Sequence, residues 1–192
     1  METTLSEKDS LKVIYEMIES SKTNIKENAI FFLLWGWLAL IASILHFVLI
    51  KVDYPYSFIP WPAMMLTGTV ASIIIGYRMG QRSTSMTIID KAMIYVWYGF
   101  FVLVLSIIVV SALGKMNWDI TQPMIIGLYS FATFVSGGIL KFRPLILGGV
   151  FGWICSVIAF FMTFPNILLM VAASIIVAYL IPGYMLKAKK EG

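Results

Sequence analysis

Few side chains in this 192-residue chain can do bond-making chemistry, and they are scattered. The candidates are one histidine (His46), one cysteine (Cys155) and a serine beside a glycine pair, Ser136-Gly137-Gly138. A serine nucleophile needs a base within hydrogen-bond reach, so His46 is the only partner of the usual kind for Ser136. A zinc site needs three or four nitrogen, sulfur or oxygen ligands, and one histidine with one cysteine does not supply them. The apolar segments contain no glycine-rich phosphate loop, no paired carboxylates and no haem-type axial pair. Whether Ser136 and His46 can meet depends on the elements that carry them.

Those elements are apolar. The lysines, arginines and acids all lie outside five runs, 28–50, 54–77, 92–114, 120–140 and 144–186. A run of about 18 or more apolar residues can cross a hydrocarbon core about 30 Å thick. The first four runs fit one crossing each and the fifth fits two, divided at Pro165-Asn166. The expected architecture is all-α, a six-helix transmembrane bundle with spans near 29–50, 60–77, 92–113, 122–140, 145–163 and 166–186. Residues 1–28 form a cytoplasmic amphipathic helix, 29–187 the membrane domain and 188–192 a basic tail. Composition agrees: the chain is 60% hydrophobic and 12% charged, with mean hydropathy +0.90, against about 25% charged in soluble domains. In this arrangement His46 and Ser136 are about 15–20 Å apart along the membrane normal, which excludes a serine–histidine pair. No Asp or Glu lies inside a span, which argues against a carboxylate relay for protons or ions. The expected catalytic, cofactor and metal inventory is therefore empty. His46 is expected to be a neutral, hydrogen-bonded side chain near the outer interface, and it is the first residue to test for a pH-dependent role. Cys155 sits mid-span as a small packing residue.

Charge sets the expected orientation. Twelve of the fourteen lysines and arginines fall on the side of the N-terminal segment, leaving only Lys51 and Lys115 opposite. By the positive-inside rule both termini are cytoplasmic. The net charge of +4 expresses this asymmetry and gives no sign of a nucleic-acid partner. No cleavable signal peptide is apparent, because residues 1–27 mix six acids with four lysines and the following run exceeds a signal core. The natural setting is a bacterial inner membrane.

The N-terminal segment carries Leu11, Ile14, Ile18 and Ile25 at three-, four- and seven-residue spacing, with lysines and glutamates between them. This is the pattern of an amphipathic helix. Its net charge of −2 disfavours anchoring on anionic lipid. The stripe is expected to pack on the protein's own cytoplasmic face, with a partner helix as the alternative.

Within the spans, small residues recur every fourth position at Gly68, Ser72, Gly76 and Gly80, and again at Gly148, Gly152 and Ser156. Ser174, Ala178 and Pro182 echo the spacing. Such ridges let helices approach closely, within the bundle or between copies in a homo-oligomer. Pro182-Gly183 should loosen the last span. Tyr54, Trp61 and the X-Pro pairs at Pro55, Pro60 and Pro62 describe a stiff aromatic loop at the outer interface. Trp35, Trp37, Tyr95, Trp97, Tyr98 and Tyr184 read as the inner aromatic belt. Aromatic–glycine elements (Trp35-Gly36-Trp37, Trp97-Tyr98-Gly99, Phe151-Gly152-Trp153) alternate with prolines 62, 123 and 165, suggesting three hairpin repeats.

The segment 18–37, IESSKTNIKENAIFFLLWGW, resembles the start of small six-span bacterial inner-membrane proteins of unassigned activity, in which a charged helix runs into an LWG span. The hairpin pattern is similar to the HdeD-type membrane proteins, although their arginine-glycine run is missing and no acid-resistance role is carried over. In size and span count the chain also resembles the substrate-binding subunits of energy-coupling-factor transporters. That likeness implies an uncharged solute pocket, for which the loop 54–61 and Ser43, Thr67 and Ser106 are the candidate lining. The preferred expectation is a non-enzymatic anchor or regulatory module acting through a protein partner. The alternative is a solute-binding transport component.

Overall fold

The computed structural model describes residues 7–81 and 88–188, with side chains described for 29–79, 81 and 89–188. Among the described residues there are six helical rods and no strand. They are α1 (Glu7–Lys51), α2 (Pro60–Gly80), α3 (Ile88–Ala112), α4 (Trp118–Ile139), α5 (Arg143–Ala159) and α6 (Phe164–Ala188). Ala29–Lys51, Ile89–Ala112 and Phe164–Ala188 are long and apolar enough to cross a membrane, and α5 is a shorter apolar helix.

Several boundaries shift by about a turn from the sequence expectation, α3 beginning at Ile88 and α5 ending at Ala159, and two departures have a clear local cause. First, α1 does not stop near residue 28. It runs unbroken for 45 residues, because no proline or glycine interrupts the chain between Glu7 and Trp35. Second, α4 begins at Trp118, so Pro123 lies inside the helix instead of opening it. Pro123 is still close to the N-terminal turn, where a missing backbone N–H costs least. Its carbonyl is also put to use, accepting the Ser156 hydroxyl at 2.8 Å.

Three rods end in the same way. Asp53, Gly114 and Lys141 adopt φ of 53°, 70° and 50°. The next N–H in each case, of Tyr54, Lys115 and Phe142, reaches back five residues to the carbonyl of Leu49, Val110 and Gly137. This is the left-handed closure that satisfies carbonyls orphaned at a helix end. Glycine is found at only one of the three positions.

Side-chain contacts fix the register. α1 meets α2 through the Trp35 indole, which donates to Ser72 at 3.1 Å, and α1 meets α6 through the Ser43 hydroxyl, which donates to the Leu168 carbonyl at 2.6 Å. α3 joins α4 at the Ser111–Thr121 hydroxyl pair. The centre is the α4–α5 pair, with α6 against both and α1 on the far side of α6. A Cβ placed on Gly149 would stand 2.7 Å from Phe134 Cβ and 2.8 Å from the Ser130 carbonyl oxygen. The two backbones are therefore closer than any residue with a side chain permits. Packing of this kind, with no help from water exclusion, is what holds helices together in lipid.

Candidate functional site

The structure brings two of the three residues singled out for function into contact. His46 is buried near the end of α1, and its Nδ1 accepts a hydrogen bond from Trp61 Nε1 at 2.8 Å. The Phe164 ring meets the imidazole edge-on, with centroids 5.4 Å apart, and Trp61 does the same at 6.4 Å. Three helices thus converge on the imidazole: α1 supplies it, α2 begins beside Trp61, and α6 begins at Phe164. An indole nitrogen only donates, so Nδ1 must accept and the ring proton sits on Nε2. Tyr54 lies elsewhere. It is exposed in the turn and forms an edge-to-face row with Tyr56 and Phe58.

A second cluster was not foreseen. Phe32 of α1, Trp97 and Phe100 of α3, Tyr129 of α4 and Tyr179 of α6 meet edge-to-face, with centroid separations from 5.4 to 6.2 Å. Trp97 was expected in the interfacial belt, but its ring is half-buried here. Tyr95 and Tyr98, its neighbours on α3, are the exposed ones, at 77% and 68%. Around the helix Tyr95 lies about 160° and Tyr98 about 100° from Trp97, so turning Trp97 inward turns both of them out.

Tyr179 stands in a π-helical turn, Ile176–Leu180, that interrupts α6. The local cause is Pro182, which has no N–H to give its own helix. Ile181 N–H bonds the Ile176 carbonyl five residues back. The turn is also where α5 presses closest: a Cβ on Gly148 would be 2.8 Å from Ala178 Cα and 3.1 Å from the Val177 carbonyl oxygen. The extra residue carries Tyr179 into the cluster, consistent with the frequent siting of π-turns at working positions.

Hydroxyls line the face of α4 beside this cluster. Tyr129 donates to Ser174, whose own proton is committed to the Val171 carbonyl at 2.8 Å. Thr133, beside Tyr179, gives its proton to the Tyr129 carbonyl at 2.7 Å. Among the described residues Ser136 is the buried side chain without a hydrogen-bond partner. It sits near the C-terminal end of α4, at the opposite end of the bundle from His46, so no serine–histidine pair forms. No group of three metal-ligating side chains occurs among the described residues.

The small-residue ridges have identifiable neighbours. Gly68 and Ser72 face Trp35, Gly148 faces the π-turn, Gly152 faces Ser130, and Ser156 bonds Pro123. Gly76 has nothing within 4 Å of its Cβ position, and Gly80 is the last residue of α2. The proposed pocket lining does not converge. Thr67 and Ser106 are exposed and bond their own helix carbonyls, and Ser43 bonds α6. Hydroxyls on an exposed helix face satisfy themselves against the preceding turn, which is why spacing alone could not place them inside.

Fold and contents together define an all-helical bundle with helices suited to a membrane. No protein-family model matches the chain, and neither a curated protein nor a solved structure matches it.

Proposed function

We propose that this chain is a six-span protein of the bacterial inner membrane, with both termini cytoplasmic, that acts without catalysis as an anchor or regulatory module for a protein partner. The observation that carries the reading is the continuity of α1. A helix running straight from its span takes residues 7–28 about 33 Å beyond it at 1.5 Å per residue. That geometry favours the partner-helix alternative over packing of the stripe on the protein's own inner face. Leu11, Ile18 and Ile25 precede Phe32 by multiples of seven residues. That heptad spacing in the sequence is what a partner helix would read.

The count of six rests on length and burial. α2 and α4 have 21 and 22 residues, enough for a hydrocarbon core about 30 Å thick. The hydroxyls that lower the hydropathy of α4 (Ser130, Thr133, Ser136) are buried against other helices and never meet lipid. We do not favour the solute-binding alternative, because Thr67 and Ser106 are exposed and the Ser43 hydroxyl is committed to the Leu168 carbonyl.

Native mass spectrometry of the chain released from mild detergent tests the reading. The expected result is a protein partner retained by the full chain and lost when residues 1–26 are deleted, with the bundle itself intact. A vitamin-sized ligand retained at one per chain in both forms would overturn it.

A further inference from the structure

The two aromatic clusters differ in one chemical respect: only the one at the α1–α2 turn contains a side chain that changes charge in the physiological range. We propose that the His46–Trp61 hydrogen bond is an acid-released latch, holding the turn and the start of α2 against α1 and α6 while His46 is neutral and letting go when it is protonated. The chemistry is one of donors and acceptors. Trp61 Nε1–H can only donate, and it donates to His46 Nδ1 at 2.8 Å. Neutral imidazole offers one acceptor nitrogen, and that nitrogen is the one used. Imidazolium offers none, because both of its nitrogens carry protons. Rotating the ring cannot restore the bond, since either edge then presents N–H to N–H.

The surroundings offer the imidazolium no counter-charge to replace the lost bond. α2 from Pro60 to Gly76 carries no ionisable side chain, and α6 from Phe164 to Leu186 carries only Tyr179 and Tyr184. α1 from Ala29 to Ile50 carries none besides His46 itself. The charges at this end of the bundle are Lys51 and Asp53 in the turn and Lys115 and Asp119 at the α3–α4 connection. Lys51 is held over the Phe47 ring, its Nζ 5.6 Å from the centroid. The face toward Phe164 is aromatic, so no carboxylate stands ready to accept from a new imidazolium proton there.

The latch has something to release. α2 packs mainly on α1, and among the described residues its other side-chain hydrogen bond to α1 is Trp35–Ser72, in the other half of the helix. With Trp61 freed, the start of α2 keeps only apolar side-chain contact with α1, while the turn stays tied to the end of α1 through the Tyr54 N–H bond to the Leu49 carbonyl. The inference concerns a single bond and stands or falls independently of which partner the N-terminal helix meets.

The test is a titration of the full chain in nanodiscs, with ¹⁵N-labelled tryptophan and histidine and the Trp61 indole signal assigned from W61F. Between about pH 8 and pH 5, the His46 nitrogens should pass from one protonated position to two. The Trp61 indole resonance should lose its hydrogen-bonded shift in the same step. In H46Q, whose amide oxygen accepts but does not titrate, the bonded shift should persist across the range. A Trp61 resonance that stays put while His46 titrates would overturn the latch. So would one that moves equally in H46Q, or a His46 that remains neutral throughout.

Discussion

Gly149→Val is expected to separate α4 from α5 and to lower the stability of the bundle by about 2–3 kcal/mol. Even a methyl at this position would stand 2.8 Å from the Phe134 backbone nitrogen and from the Ser130 carbonyl oxygen. Backbone cannot rotate aside as a flexible side chain can, so the helices must part along their length. Parting them unseats the neighbouring contacts of the seam, including Phe134 on Trp153 at 5.0 Å and Ser156 on the Pro123 carbonyl. Unfolding in mixed micelles with increasing dodecyl sulfate reads the loss. Gly138→Ala is the control of opposite expectation. A Cβ there meets nothing within 4 Å, and exchanging glycine for alanine in a helix gains up to about 1 kcal/mol. If both variants lose stability alike, the close approach of α4 and α5 is wrong.

Tyr179→Ala should cost about 3–5 kcal/mol, the range for truncating a large buried aromatic, whereas Tyr179→Phe, which keeps the ring, should cost only about 1 kcal/mol. The asymmetry follows from what Tyr179 touches. Its ring meets Phe32, Trp97 and Tyr129 edge-to-face, joining four helices at one point. Its hydroxyl, at the ring's edge, adds less. In lipid the loss comes from forfeited dispersion contact and the void left behind, because apolar surface gains little by leaving one apolar medium for another. The same micelle titration compares the two variants. Equal losses would place the energy in the hydroxyl and not in the ring.

What the sequence made legible, and what it did not, follows from the range over which each feature is encoded. Rods and their connections are written locally, in runs of apolar residues broken by Lys, Asp and Pro, and the helices fall close to those runs. The continuity of α1 was legible in principle, since no breaker lies between Glu7 and Trp35. It was obscured by the change from charged to apolar composition, which marks an environment and not a bend. Helix ends at Asp53 and Lys141 were hidden because left-handed closure was met by residues other than glycine. Pro182-Gly183 marked the weak point of α6, but the π-turn it produces depends also on Gly148 arriving from another helix. Contacts between distant segments were the least accessible. Trp61 faces His46, and Trp97 faces Phe32 and Tyr179, only because the turns and rotations of whole helices put them there. An aromatic residue near a span end carries the same local signature whether it faces lipid or a neighbour.

The central claim is that α1 is one helix that carries the N-terminal stripe away from the bundle. Spin labels at residues 12 and 41 of a Cys155→Ala chain, measured by double electron–electron resonance in nanodiscs, test it most directly. Ile41 is half-exposed on α1 and accepts a label without disturbing the core. A continuous helix gives a separation of about 43 Å over the 29 intervening steps at 1.5 Å each. A narrow distribution near that value is the expected result. A distance under about 35 Å, as a bend near residue 28 would give for two rods of these lengths at right angles, would contradict the account.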